Sequence, residues 1–466
     1  MLWLSIDRTS DIPLIRQIYL ELRRQILRGE LSSGQRLPSS RELAAHLGVS
    51  RNVVLEAYDQ LISEGYLESK SGSGTYVAQG AYWELTSDQG ITVQPSDRSF
   101  IVTTADLIDF RSGIPALDHF PRKLWGELTK RVCLEASAAT FGYSTPEGCL
   151  ELRSVLAQYL RRTRGVHCQP DQIVITSGAA QAFSLVGQLL LSAEDTIALE
   201  NPTTPEIREI YSTLGAGLDL IPVDDRGIQT QWLPASKPPK FILVTPSHQF
   251  PLGSVLTIQR RIELLQYAKA TGSYIVEDDY DSEFRYSGTP VSSLQGLSPE
   301  SVIYIGSFSK ILSPALRLGY LVLPLEMVQA CRRLKRLIDL HSSTFEQLAL
   351  AEFIQAGHLE RHIARMKKLY RQRRDTLKQL LNEYFPEQVR ISGDSTGLHL
   401  VAELNEIDFS PDRLHKIEQQ RIRIYPMSIY APSQEKYQKQ IVMGFGNVAI
   451  EDIKLGIQRL KRGVME

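Results

Sequence analysis

Over residues 12–77, apolar positions recur in short amphipathic runs divided by turn-forming residues. Ile15, Ile18, Tyr19, Leu22 and Ile26 share one face of a helix, and Gly29 ends it. After Pro38, Ser39 and Glu42 give an S-x-x-E start to a second helix that carries Leu43, Ala44 and Leu47 inward and stops at Gly48. Ser50 then N-caps a third helix with Val54, Ala57, Tyr58 and Leu61 on its inner face and Gly65 at its end. Tyr66-Leu67-Glu68 and Thr75-Tyr76-Val77, flanking a Ser71-Gly72-Ser73-Gly74 turn, predict a two-stranded hairpin.

No period is sustained over 79–107, which reads as a linker. From about residue 170 short β-branched runs alternate with helical windows, predicting strands at 172–176, 196–200, 241–244, 274–277, 302–306 and 318–323. That alternation implies an α/β fold with a mostly parallel sheet covered on both faces. A long helical region at 345–382, strands at 397–402, 422–425 and 441–445, and a helix at 450–462 predict a smaller α+β part. The expected division is 1–78, a linker at 79–107, and a large unit at 108–466 whose smaller part spans about 335–466.

The 466 residues hold 42% hydrophobic and 23% charged side chains, ordinary for a globular chain and unlike a disordered or disulfide-scaffold one. The four cysteines are scattered with no CxxC pair, so neither a metal site nor a redox motif is expected. The first residues lack the pattern of a signal peptide, and no apolar run is long enough to span a bilayer; a soluble cytoplasmic protein is expected. Lys+Arg number 52 against 53 Asp+Glu, and residues 1–80 alone carry nine of each. Any nucleic-acid affinity must therefore come from locally placed cations and be salt-sensitive.

Two helices joined at Gly48-Val49, the second opening Ser50-Arg51-Asn52, form a helix-turn-helix pattern whose second helix presents its N-terminus to a major groove. Arg51 suits guanine and Asn52 adenine or phosphate. Arg41 and Ser50 can hold phosphates, and Ser73-Gly74-Thr75 can enter a minor groove as a wing. A helical hairpin used for protein contact fits the same pattern.

In the large unit, Ser307-Phe308-Ser309-Lys310 follows a strand, with Arg317 seven residues on. A lysine at a strand end among hydroxyls and an arginine suits a Schiff base beside a phosphate. Glu277-Asp278-Asp279-Tyr280 ends another strand and offers a carboxylate to a pyridinium nitrogen. Ser177-Gly178-Ala179-Ala180-Gln181 joins a strand to a helix with residues small enough for backbone amides to reach a phosphate. The three point together to pyridoxal phosphate.

"LPSSRELAAHLGVSRNVV" and "EGYLESKSGSGTYV" resemble the winged helix-turn-helix of GntR-type bacterial regulators. That resemblance implies double-stranded operator DNA as partner, with contacts at Arg41, Ser50, Arg51, Asn52, Ser73, Gly74 and Thr75. Residues from about 109 to 460 resemble fold-type I pyridoxal-phosphate enzymes of the aspartate aminotransferase class. The resemblance implies Lys310 as the Schiff-base lysine, Asp278 as the pyridinium partner and Tyr280 near the cofactor's phenolic oxygen. Phosphate contacts fall on Ser177, Gly178, Ala179, Ser307, Ser309 and Arg317. Tyr143, in "FGYSTPEGCLELR", matches a tyrosine that reaches the phosphate of the partner subunit.

Both parts in this order, with "TPSHQFPLG", "EDDYDSEFRY" and "RMKKLYRQRRDTL", resemble the MocR/GabR-type regulators and imply a head-to-tail homodimer. Three positions depart from the aminotransferase pattern: Phe250 replaces a cofactor-bonding asparagine, Thr204 a stacking tyrosine, and Val442 an arginine that grips a substrate carboxylate. His248 or Gln249 can partly substitute for the asparagine, and Arg421, Arg423, Arg208 or His119 can serve another ligand. The basic run 361–378 reads as a solvated helix face. The expected function is a transcriptional regulator that senses an amine, an amino acid-like ligand or pyridoxal phosphate itself through Lys310. A working aminotransferase with an accessory DNA-binding domain, and a cofactor-free dimerisation scaffold, are the alternatives.

Overall fold

The computed structural model describes residues 4, 6–81, 106–289, 291–431 and 435–465. The chain divides into two compact units, 1–102 and 103–466. Most of the expected linker, residues 82–105, lies outside the described residues.

The first unit contains α1 (Leu14–Leu27), α2 (Ser40–Leu47), α3 (Arg51–Ser63) and the hairpin β1 (Leu67–Lys70) with β2 (Gly74–Val77). Ile18, Leu22, Leu43, Val54 and Leu61 meet in one buried cluster, as their helical spacing requires. The start of α2 is a reciprocal cap: Ser39 Oγ accepts from the Glu42 amide at 3.3 Å, and Glu42 Oε2 accepts from the Ser39 amide at 2.8 Å. Gly48 ends α2 at φ +63°, a left-handed conformation open to glycine without strain. Ser50 occupies the N-cap of α3 but makes no capping bond, so its hydroxyl does not act as the sequence suggests.

The second unit opens with β3 (Ile108–Asp109), α4 (Arg122–Glu135) and α5 (Leu150–Arg164). Eight strands follow: β4 (Ile173–Thr176), β5 (Thr196–Asn201), β6 (Gly217–Asp224), β7 (Gly227–Ile228), β8 (Phe241–Val244), β9 (Tyr274–Asp279), β10 (Val302–Ser307) and β11 (Gly319–Val322). They alternate with α6 (Ala179–Leu190), α7 (Pro205–Thr213) and α8 (Ile258–Thr271). Their order is β4-β11-β10-β9-β8-β5-β6-β7. From β10 through β6 the pairs are parallel, while β11 runs antiparallel between β4 and β10. Every residue of β4, β8, β10 and β11 is buried, as in a sheet covered on both faces.

Beyond the sheet, α9 (Leu325–Asp339) and α10 (Thr344–Gln355) pack on the cores beneath it. Gly357, at φ +68°, breaks the long predicted helix before α11 (His358–Tyr384). A second core gathers Met366, Tyr370 and Leu377 with β12 (Val389–Ser392), β13 (His399–Leu404), α12 (Pro411–Gln419), β14 (Ile422–Arg423), β16 (Gln440–Gly444) and α13 (Ile450–Met465), while β15 (Tyr425–Pro426) lies at the edge of the four-stranded sheet. The single strand expected at 422–425 is two: β14 pairs with β3, and β15 joins the four-stranded sheet.

Candidate functional site

On the first unit, Arg41, Ser50, Arg51, Asn52, Ser73 and Gly74 are exposed and Thr75 half-buried. Arg51 Nε donates to Ser40 Oγ at 3.2 Å, tying the start of α3 to the start of α2. At the hairpin tip the Ser73 and Tyr76 hydroxyls lie 2.6 Å apart. A Cβ on Gly74 would come 3.0 Å from Arg36 Nε, so this guanidinium lies along the wing. Arg36 is a cation at the wing that motif spacing did not reveal; its only sequence signal was an isolated arginine before Leu37.

In the second unit, the ends of β4, β9 and β10 bring the predicted cofactor residues to one edge. Gly178, at φ +85°, caps α6, where a Cβ would sit 3.1 Å from Arg317 Nη1 and Nη2. Arg317 Nη2 donates to Ser177 O at 2.5 Å. A Cβ on Gly319 would lie 2.8 Å from the Gly178 carbonyl carbon, so glycine there lets the two loops touch. The Ser309 amide donates to Ser307 Oγ at 3.1 Å, folding the β10 turn toward the same place. A helix N-terminus, two serines and a guanidinium together form a donor set for a dianion.

Adjacent carboxylates on β9 have opposite roles because successive strand residues face opposite sides. Glu277 accepts from the Leu294 and Gln295 amides at 3.0 and 2.9 Å. Asp279 pairs with buried Arg164 at 2.6 Å and accepts from the Tyr304 hydroxyl. Asp278 lies on the other side, and burial, with Asp279 and Asp281 nearby, pushes its carboxyl up to about 8. A buried acid so displaced calls for a cationic partner, as a protonated pyridine nitrogen would be. Lys310 is half-buried. Burial holds its ammonium below the ordinary range, against the pull of Asp281 and Asp278. A Cβ on Gly113 would be 2.8 Å from Lys310 Nζ, so the amine lies directly against this glycine. The residues present fit pyridoxal phosphate.

Tyr280 donates to His248 O at 3.0 Å and lies 3.1 Å from His248 Nδ1. The same Nδ1 meets Asp281 Oδ1 at 3.0 Å. His399 stands 4.9 Å from the His248 ring and donates through Nε2 to Pro251 O at 2.9 Å. Gln249 does not replace the asparagine: its Nε2 donates to Pro202 O and Phe250 O at 2.9 and 2.7 Å. Phe250 packs its ring against His399 and Tyr430 at 5.0 and 5.1 Å. Thr204 caps α7 by accepting from the Ile207 amide at 3.4 Å. Val442 is fully buried in an apolar cluster with Val401, Met427 and Tyr430.

The substitute cations are mostly engaged. Arg208 donates to Ile429 O at 3.1 Å, Arg421 pairs with Asp106 at 2.6 Å, and Arg423 pairs with Glu418 at 2.7 Å. His119 lies on the surface beside Asp118. The basic run on α11 is partly structural, since Arg373 and Arg374 are buried. Tyr143 is 86% exposed, with its ring edge-on to His341 at 6.1 Å.

A profile of the aminotransferase class I and II family matches residues 105–433, and one of the gntR family of bacterial regulatory proteins matches residues 14–77. The uncharacterized HTH-type transcriptional regulator YdeL of Bacillus subtilis (strain 168) is 36% identical over 466 residues, covering 98% of both chains. The probable rhizopine catabolism regulatory protein MocR of Rhizobium meliloti is 33% identical over 98% of this chain and 95% of its own. Among solved structures, Pyrococcus horikoshii kynurenine aminotransferase in complex with PMP superposes with a TM-score of 0.71. It is 28% identical and covers 78% of this chain and 91% of its own.

Proposed function

We propose a sensing role that starts from one fact: the chain belongs to the MocR-type GntR regulators, in which a DNA-binding helix-turn-helix precedes an aminotransferase class I and II domain. It is a pyridoxal-phosphate-dependent transcriptional regulator. The finer reading is that occupancy at Lys310 alters how the protein fits its operator.

When bound, pyridoxal phosphate supplies an aldehyde carbon that condenses reversibly with primary amines and a ring that draws electrons from it. Lys310 provides the attaching amine, kept available by burial. Asp278 would hold the proton of the ring nitrogen, and Tyr280, whose hydroxyl rests on His248, would lie toward the phenolic oxygen. The amides of Ser177, Gly178 and Ala179, the hydroxyls of Ser307 and Ser309, and Arg317 would hold the phosphate. In a head-to-tail homodimer, the partner subunit's Tyr143 adds to that phosphate site, in keeping with the exposure of this side chain. Arg41, Ser50, Arg51 and Asn52 meet the major groove and its phosphates, and Ser73, Gly74 and Thr75 the minor groove. We assign the protein to the cytoplasm, where its operator lies. Among the described residues, no helix is long and apolar enough to cross a membrane.

The observation that carries this reading is the pairing of a near-complete cofactor pocket with an apolar cluster at Val442, where catalysts of the class hold the substrate carboxylate. A sensor needs different ligand affinity in its two DNA-binding states, not fast turnover. Lys310→Ala tests it. The variant is expected to lose the visible absorbance of the bound cofactor and the effect of amines on operator binding. Unchanged absorbance would exclude Lys310 as the attachment point.

A further inference from the structure

Ser73, Gly74 and Thr75, the wing residues that motif resemblance assigns to DNA, carry no charge, although a narrow minor groove has a strongly negative potential. The structure brings a cation to them that lies outside that assignment. Residues 34–37 run beside β2 as a further extended segment. The Gly34 amide donates to Val77 O, the Val77 amide to Gln35 O and the Leu37 amide to Thr75 O, each at 2.9 Å. Arg36 therefore stands directly opposite Tyr76 in an antiparallel bridge. On β1, Glu68 is opposite Tyr76 and Lys70 is opposite Gly74. Residues directly opposite one another, or two apart on one strand, share a face. Arg36, Tyr76, Glu68 and Lys70 thus share one face of the wing with Gly74, which puts no side chain there.

The two cations on this face differ in their surroundings. Lys70 Nζ lies 3.1 Å from Glu68 Oε1 and 5.0 Å from the centre of the Tyr76 ring. Arg36 is exposed, and among the described residues its guanidinium has no hydrogen-bond or ion-pair partner. Glu42, a carboxylate within its field, is committed to the Ser39 amide at 2.8 Å. A Cβ on Gly74 would meet Arg36 Nε at 3.0 Å, Nη2 at 3.4 Å and Cζ at 3.6 Å, so the guanidinium lies against the bare backbone of the wing tip. The Tyr76 hydroxyl, 2.6 Å from Ser73 Oγ and 3.2 Å from Ser73 O, holds that tip in shape. A flat cation lying on a glycine presents little width, which suits a groove about 6 Å wide.

We propose that Arg36 reads the minor groove: its guanidinium enters with Gly74 and favours A·T-rich base pairs flanking the bases met by α3. A-tracts narrow the groove and deepen its negative potential, whereas a G·C pair adds a donor amino group that repels another donor. This assignment rests on the reading above that the wing enters a minor groove.

The test uses full-length holo-protein, wild type and variants, on duplexes that the wild type selects from a random-sequence library. In each duplex adenine is replaced, one position at a time, by diaminopurine. That base leaves the major-groove edge unchanged and adds the amino group of guanine to the minor-groove edge. Wild type is expected to lose roughly 5-fold or more in affinity over a short run flanking the α3 bases, the scale of one mismatched pair. Arg36→Ala is expected to bind the unmodified duplex more weakly and to be indifferent to diaminopurine over that run. Lys70→Ala is expected to keep the wild-type pattern. An Arg36→Ala protein that keeps the pattern overturns the proposal, and a salt slope smaller by about one would then identify a phosphate contact instead. Loss of the pattern in Lys70→Ala as well would make it a property of wing shape, and also overturns the proposal. A wild type indifferent to diaminopurine everywhere outside the α3 bases overturns the wing reading, and this proposal with it.

Discussion

In the small unit Arg41, Ser50, Arg51, Asn52 and Ser73 are all exposed, whereas in the large unit Asp278 is 8% exposed and Lys310 half-buried. The reader's working side chains stand outside a core of Ile18, Leu22, Val54 and Leu61, with Arg51 adding one exposed bond between α3 and α2. The pocket's working side chains lie within the fold, and Asp278 carries a displaced protonation equilibrium as a result. Change in the reader should therefore alter DNA affinity and little else. Change in the pocket should alter affinity for the cofactor together with stability.

The largest expected effect that sharpens this contrast is at Asp278. Its folded carboxyl is pushed from 3.8 up to about 8 by burial, so between those values the folded chain keeps a proton that the unfolded chain has released. Stability from this group is full below the unfolded value and is lost as pH rises toward 8. Each unit of displacement is worth about 1.4 kcal/mol. Thermal melts of the cofactor-free protein from pH 5 to 8 should fall more steeply for wild type than for Asp278→Asn, and cofactor should flatten the wild-type slope. Glu200, Glu277 and Glu283, each pushed to about 7, contribute alike to both proteins. Parallel slopes would remove Asp278 from the pocket's energetics.

Arg51→Ala comes next. Losing one bidentate base contact is expected to cost ~1–3 kcal/mol of operator affinity, with cofactor absorbance unchanged and only a small drop in reader stability from the lost Ser40 bond. A coupled loss of cofactor binding would break the separation of the two regions. Smallest is Ser39→Ala, which removes one half of the cap on α2 and should cost ~1 kcal/mol of reader stability. A melt that resolves the two units should show a shift in the reader alone.

Legibility followed the same contrast. The reader's helices, its capping box and its hairpin were readable because each signal is local: Ser39 meets Glu42 three residues away, and Gly48 stops α2 where it stands. The deeply buried strands were equally plain, and 241–244 matches β8 to the residue. Strand direction was not readable, since the antiparallel β11 is as apolar as its parallel neighbours. Nor was β6, which is half-exposed and lacks a continuous apolar run. The choice between Asp278 and Asp279 was open to residue chemistry alone, and strand alternation decides it by committing Asp279 to Arg164. Arg36 was not readable because a single arginine resembles any solvated cation, and only the fold brings it to Gly74.

What occupies Lys310 is expected to change the grip on DNA. The most direct measurement is operator affinity of full-length wild type and Lys310→Ala, each with and without pyridoxal phosphate and with and without an amine that shifts wild-type absorbance. A wild-type affinity that moves with occupancy, beside a Lys310→Ala affinity that stays fixed, is the result expected. Affinities that move equally in both proteins, or in neither, would contradict it.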